Sequence, residues 1–446
     1  MKQPPLTTPA SVDIAEARRT TLANGVGLYT LPSEDFEVLR FTFVFRAGSS
    51  VQRTPFSASA AANLLAEGTR DMTAARIAER LDYYGSWFDV NIDRDYAYIS
   101  FAALSKFFVP TLEVAEQVIL HPVFPEEELA TYRAKRKQRL AIERTKVDVE
   151  AREAFARTLF GPRHPYGISY DEGEYDRLTR DEVAAFYRTH YTAGNCFVVC
   201  SGRIGEEEMR ALAALAGQLP TDPAATADNS GPDKAGASAA FPSGSPFSAP
   251  SVTRFPAPET RREAFVEHPG AVQSSIRVGR LLFPRRHPDF VGMQVVATAL
   301  GGYFGSRLMQ NLRERHGYTY GVAAAMVNFE QAGYFALATQ VGTASTQAAL
   351  GEIYAEIERM RTEPMPEEEL ALVKNIMTGE MMRILDGPFG IADVTIENLL
   401  CGADNSLVGE NLARIRAITA AEVQRLARKY LAREELVTVI AGEKNG

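Results

Sequence analysis

Apolar and polar positions change period repeatedly along the chain, and each change marks an expected element. LRFTFVFRAGS at 39–49 has strand character. The small-residue run SASAAANLLAEGT at 57–69 and the segment MTAARIAERLDYYG at 72–85 have helical spacing. WFDVNIDRDYAYISFAAL at 87–104 predicts a hairpin, and VPTLEVAEQVIL at 109–120 is helical again. FPEEEL at 124–129 opens a longer helix, because Pro and Glu suit a first turn whose amides lack partners. The succession then recurs. SSIRVGRLLF at 274–283 predicts a strand, FVGMQVVATALGG at 290–302 and SRLMQNLRERHG at 306–317 two helices, and YTYGVAAAMV with FALATQV a second hairpin. QAALGEIYAEIERM at 347–360 is helical, and MPEEEL at 365–370 opens the last long helix. The identical PEEEL stretches begin at Pro125 and Pro366, 366 − 125 = 241 residues apart, and duplication of one plan accounts for their matching context.

Between the halves, 221–250 is dominated by Ala, Ser, Gly and Pro, a composition unable to bury enough apolar surface to fold alone. The expected organisation is therefore a first half over 1–220, a linker over 221–250 and a second half over 251–446. The fold class is α+β, each half carrying an antiparallel-rich sheet with helices packed over one face.

Composition narrows the function classes. The 446 residues are 46% hydrophobic and 23% charged, as in ordinary globular proteins, with a net charge of 48 − 56 = −8. That balance gives nucleic acid no basic footprint, and the short run RAKRKQR at 133–139 reads as a solvated helix face. Three cysteines make no disulfide scaffold; Cys196 and Cys200 would share one strand face as buried thiols. No apolar run is long enough to span a membrane. The N-terminal residues lack a signal-peptide core, so the expected location is cytoplasmic, or periplasmic if a leader was trimmed. The six histidines are His121, His164, His190, His268, His287 and His316, and no two lie within one helical turn. Walker, Rossmann and Gly-x-Ser-x-Gly patterns do not occur.

LANGVGLYTLPS, FVFRAGSS and AAANLLAEGT together resemble the N-terminal half of the M16 (pitrilysin/insulinase) metallopeptidases, which include the mitochondrial processing peptidases. The resemblance runs from about residue 20 to the end, outside the linker. It implies two homologous lobes of the LuxS/MPP-like metallohydrolase type, forming a clam shell. Active members carry an inverted zinc motif, His-x-x-Glu-His, ahead of a Gly-Thr pair; two His one turn apart hold zinc and the Glu activates its water. Counting back from Gly68-Thr69, those positions hold Ser59, Ala62 and Asn63. The third ligand of active members would fall in RLAIERTKVD, at Leu140 or Ala141. None of these side chains is a good zinc ligand, so the expected cofactor content is none in this chain, with zinc in a partner subunit.

The second half keeps another part of the resemblance. ALGGYFGSRLMQNLRERHGYTYGV at 299–322 is similar to the region that supplies an Arg/Tyr pair to the active site. By spacing the pair is Arg313 and Tyr320, with Tyr318 a neighbour on the same strand face. Gly301, Gly302 and Gly305 allow close approach of a bound chain or form a helix joint. Arg307 reads as a helix-surface residue, and HPYG at 164–167 as a structural turn without chemistry. The resemblance implies a non-catalytic, substrate-binding subunit, inactive alone. Its expected partners are a homologous His-x-x-Glu-His subunit and unfolded or extended peptides, with no nucleic acid and no membrane. The alternatives are a non-enzymatic peptide-binding or assembly scaffold, including a homodimer, and an autonomous peptidase using another metal site.

Overall fold

The computed structural model describes residues 12, 14–221, 246–248, 255 and 257–444, so most of the stretch read as a linker lies outside the described residues. Among the described residues, eleven strands form two sheets. The first contains β1 (Arg18–Thr21), β2 (Gly27–Pro32), β3 (Val38–Phe45), β4 (Trp87–Ile92), β5 (Ala97–Leu104) and β6 (Cys196–Gly202), in the order β1-β2-β6-β3-β5-β4. The second contains β7 (Glu263–Glu267), β8 (Gln273–Leu282), β9 (Val322–Asn328), β10 (Gly333–Gly342) and β11 (Val437–Gly442), in the order β7-β11-β8-β10-β9.

Without β1, the two sheets correspond strand for strand. Each begins with a parallel pair, β2·β6 or β7·β11, and continues antiparallel to a hairpin at the far edge. The helices correspond too. Glu126–Glu143 and Glu367–Ile384 are both 18 residues, and each follows the proline of a PEEEL stretch. The next helices, Val147–Phe160 and Gly387–Leu400, are both 14 residues.

Each sheet buries one face against helices of its own half. In the first, Phe41, Phe43, Phe45, Ile99 and Phe101 pack against Val114, Val118 and Leu212, and both Cys196 and Cys200 are buried there. In the second, Ile276, Val278, Phe335 and Leu337 pack against Val295, Leu300, Ile353 and Leu426.

The expectation of helices over one face is incomplete, because the opposite faces are covered reciprocally. Phe155 and Leu159, on the helix Val147–Phe160, pack with Val437 and Val439 of the second sheet. Ile396 and Leu399, on Gly387–Leu400, pack with Tyr29, Leu31, Val44, Phe197 and Val199 of the first. The physical cause is legible in β6, CFVVCSG, where every residue is buried. A strand apolar on both faces needs cover on both. Phe247 joins the cover of the first sheet, its ring 5.1 Å from Phe197 and 6.0 Å from Tyr96.

Close contact at this exchange is built into the backbone. A Cβ on Gly279 would lie 2.1 Å from the Phe335 carbonyl oxygen and 2.8 Å from Cζ of Phe155, so only glycine admits the ring. Truncating that ring leaves a cavity in a packed layer. Phe155→Ala is expected to lower stability by about 3–5 kcal/mol, read by urea denaturation. A loss below about 1 kcal/mol would mean that the exchanged helix carries little of the core energy.

Candidate functional site

The helix Ser57–Asn63 carries the positions where the resemblance places a metal motif. Its first turn starts from Phe56, whose φ of 64° lies in the left-handed region. Such a conformation costs a non-glycine residue about 1–3 kcal/mol, and the Phe56 ring is held flat on Tyr175 at 3.8 Å. Ser59 Oγ donates to the Phe56 carbonyl at 3.0 Å and accepts from the Tyr132 hydroxyl at 3.1 Å. Asn63 donates to the Ser59 carbonyl at 2.7 Å, and its Oδ1 accepts from Arg136 Nη2 at 2.8 Å. Ala62 is fully buried.

Tyr132 and Arg136 sit four residues apart on the helix Glu126–Glu143, so both face Ser57–Asn63. Leu140 continues that row and packs against the core, whereas Ala141, the other position the resemblance offers for a third ligand, is exposed. These residues do not fit a zinc ion. Two amide and hydroxyl groups are already paired, the base position is a methyl, and the Arg136 guanidinium places a positive charge beside the positions a cation would need. Among the described residues, no group of three His, Cys, Asp or Glu side chains could hold a metal. The reading of 133–139 as a solvated face is also corrected. Arg133 donates to the Leu178 carbonyl at 2.8 Å and Arg136 to Asn63, so two arginines of the run are structural.

In the second half, the two helical segments around the glycines widen into π-helical turns, Thr298–Gly302 and Met309–Arg315. The His316 amide donates to the Asn311 carbonyl at 3.2 Å, five residues back. Arg313 lies in the second of these turns, its guanidinium 4.4 Å over the ring of Phe304 and its Nε 3.9 Å from Glu314. Tyr320 is 93% exposed, and its hydroxyl has no hydrogen bond among the described residues. Tyr318 is half-buried against the second core, its ring stacked 5.0 Å from His316.

The two tyrosines do not lie on the strand as spacing predicts. β9 starts at Val322, and the Thr319 hydroxyl accepts from the Gly321 amide at 3.1 Å. That local turn bends the chain, so the period-two rule does not relate Tyr318 to Tyr320. Gly301 has a packing reason: a Cβ there would lie 2.8 Å from the Ala324 amide nitrogen on β9. Gly302 is exposed, and Gly305 accepts from the Gln310 side chain at 2.9 Å. Arg307 is more than a surface residue. It forms a two-pronged pair with Glu369, 2.7 and 2.8 Å, tying this region to the second PEEEL helix.

Comparison with known proteins agrees with this architecture. Residues 177–377 match the family profile described as "Peptidase M16 inactive domain". The peptidase M16 inactive domain from Pseudomonas fluorescens superposes with a TM-score of 0.84, covering 96% of this chain and 99% of that one at 21% identity. A protease from Helicobacter pylori superposes at 0.80, covering 96% and 100% at 15% identity. The fold is that of the M16 peptidases. Among curated relatives of this M16-fold chain, an uncharacterized zinc protease of Streptomyces coelicolor is 23% identical over 444 residues, 97% of this chain and 91% of the relative.

One polar centre of this M16 fold escaped sequence reasoning. Asp95, in the β4–β5 turn, is buried and accepts from the Tyr166 hydroxyl at 2.7 Å, the Glu330 amide at 2.7 Å and Ser50 Oγ at 3.2 Å. Glu330 lies in the β9–β10 turn, and its carboxylate is 3.2 Å from Nε of the buried Arg46. Tyr166 belongs to HPYG, so that turn also delivers a hydroxyl to the junction of the two hairpins. Tyr166 and Glu330 lie 71 and 235 residues from Asp95 in sequence, and no local pattern announces them.

Burial raises the Asp95 carboxyl to about 6, against the lowering effect of its hydrogen bonds. The folded chain therefore keeps this proton while the unfolded chain releases it near 3.8. Stability contributed by this group falls as pH rises from about 4 to about 6 and stays low above, by up to about 3 kcal/mol. Asp95→Asn is expected to flatten the pH dependence of unfolding free energy in that window. An unchanged slope in the variant would remove Asp95 as its source.

Proposed function

We propose that this chain is the non-catalytic, substrate-positioning subunit of a two-subunit M16 peptidase, whose zinc is carried by a homologous His-x-x-Glu-His partner. The observation that carries this reading is a contrast between the halves. At Ser59, Ala62 and Asn63 every polar group is engaged within the chain, and Arg136 occupies the neighbourhood as a fixed cation. At Arg313 and Tyr320 the donors are spare among the described residues: the 3.9 Å approach to Glu314 is too long for a strong hydrogen bond, and the Tyr320 hydroxyl makes none there.

Spare donors of this kind suit a peptide carbonyl. A guanidinium fork and a phenolic hydroxyl can both donate to its oxygen and stabilise negative charge developing there. The Phe304 ring seats the guanidinium in advance, which reduces the entropy lost on engagement. Metal chemistry is left to the partner, and Arg313 and Tyr320 orient the carbonyl. That the Streptomyces coelicolor relative is called a zinc protease fits a divided enzyme whose members share one fold. Unfolded or extended peptides are the substrates this arrangement favours, because their backbone groups are free.

The test is to mix the purified chain with a homologous subunit from the same genome that carries His-x-x-Glu-His, and to follow cleavage of an unstructured peptide. Activity is expected from the mixture and not from this chain alone. In the mixture, Arg313→Ala and Tyr320→Phe are each expected to lower turnover about tenfold or more with assembly intact by sedimentation. Full activity of the partner alone, or unchanged turnover in both variants, would move the chain to a scaffolding role.

A further inference from the structure

The two sheets differ at one edge. In the first, β2 is covered by β1, an antiparallel strand of four exposed residues, Arg-Arg-Thr-Thr. In the second, β7 holds the place of β2 and, among the described residues, is the end of the sheet. Pro32 and Glu267 sit opposite Gly202 and Gly442, which end β6 and β11. Counting back, Phe265 corresponds to Thr30 and Glu263 to Leu28, the residues that face Arg18 and Thr20 of β1.

The direction of the free backbone groups follows from the ladder. The Thr438 amide donates to the Arg262 carbonyl at 2.8 Å, and the His268 amide to the Gly442 carbonyl at 2.9 Å. In a parallel pair alternate residues bond to the neighbour, so Ala264 and Val266 serve β11. Glu263, Phe265 and Glu267 turn their amides and carbonyls outward, where no described residue meets them. Their side chains share one face, opposite Ala264 and Val266, which pack toward the exchanged helix. Phe265 is 44% exposed, and neither glutamate has an ion pair among the described residues. A cavity of about 610 Å3 beside this edge is lined by Arg144, Arg157, Thr158, Ser169, Arg261 and Glu263.

An exposed strand edge invites another strand. We propose that the outer edge of β7 binds an extended peptide segment bearing basic, apolar and basic residues at alternate positions, added antiparallel as β1 is added to β2. Directly opposite side chains of an antiparallel pair interact, so the apolar residue covers Phe265 and the basic ones meet Glu263 and Glu267. The same rule disfavours a second copy of this chain. Two β7 strands related by a twofold axis through Phe265 would set Glu263 against the other copy's Glu267, a like-charge pair. The far edges, β4 and β9, are equivalent in both sheets, so the repeat says nothing about what covers them. This site lies outside the Arg313 and Tyr320 region and stands without the subunit role proposed above.

The probe is a fluorescein-labelled peptide, Ser-Lys-Thr-Phe-Thr-Lys-Ser, titrated with the full-length chain by fluorescence anisotropy. Saturable binding is expected, weakened about tenfold or more by Glu263→Lys with Glu267→Lys. Methylating the amide nitrogen of the peptide Phe, which would donate to Phe265, is expected to abolish binding. Methylating that of the following Thr, which points away, is expected to leave it intact. Absence of binding overturns the proposal, as do binding indifferent to the glutamates and equal effects of the two methylations. A concentration-dependent dimer that Phe265→Glu dissociates would also overturn it, by assigning the edge to a second copy.

Discussion

The reciprocal burial of two helices is the constraint on which the rest of the molecule depends. Val147–Phe160 closes the open face of the second sheet, and Gly387–Leu400 closes that of the first. Neither half can leave without exposing the apolar face of the other, at roughly 25 cal/mol for each Å2 uncovered. The polar contacts follow the same exchange. Arg40 on β3 donates to the Phe389 carbonyl at 2.8 Å, and His268 meets Glu150 at 2.9 Å. The hairpin turns holding Asp95 and Glu330 are thereby fixed against each other, which allows a buried carboxylate to persist with three donors around it.

Much of this was legible in the chain because it depends on local period and residue type. Strand positions and the paired PEEEL helices fall in that class. The exchange was not legible. VDVEAREAFARTLF shows that a helix has an apolar side, yet nothing within it says which of two similar sheets it will cover. The strand sequences carried a partial clue, since β6 is apolar at nearly every position and therefore needs two covers. Asp95 was invisible for another reason: hydrogen bonds over 71 and 235 residues leave no spacing rule to read.

The region around Arg313 shows how a regular count along the sequence can miss the local geometry. Spacing suggested an ordinary helix followed by a strand holding both tyrosines. A π-helical turn and the Thr319 turn each change the rotation per residue, so side chains separate that a regular count would align. Tyr318 is drawn against the core beside His316, and Tyr320 is left in solvent. Gly301 is held by packing against Ala324, which accounts for that glycine without a ligand.

The two halves share one frame and differ in separate parts of it. In the first half, Tyr132 and Arg136 occupy the helix face that looks onto Ser59 and Asn63, and each satisfies a group that would otherwise be left unpaired in a partly buried place. Placing histidines at those two positions would strand Tyr132 and Arg136, so the zinc site that the resemblance describes cannot be made by changing this helix alone. It would also require a carboxylate at the position the resemblance matches to Leu140 and removal of the neighbouring guanidinium, changes on a second helix 70 to 80 residues away. The second half faces no such interlock at Arg313 and Tyr320, whose donors are not committed to the fold. A polar group that the fold does not use is kept at no structural cost, and it is the kind of group that an external peptide can engage without first breaking an internal bond.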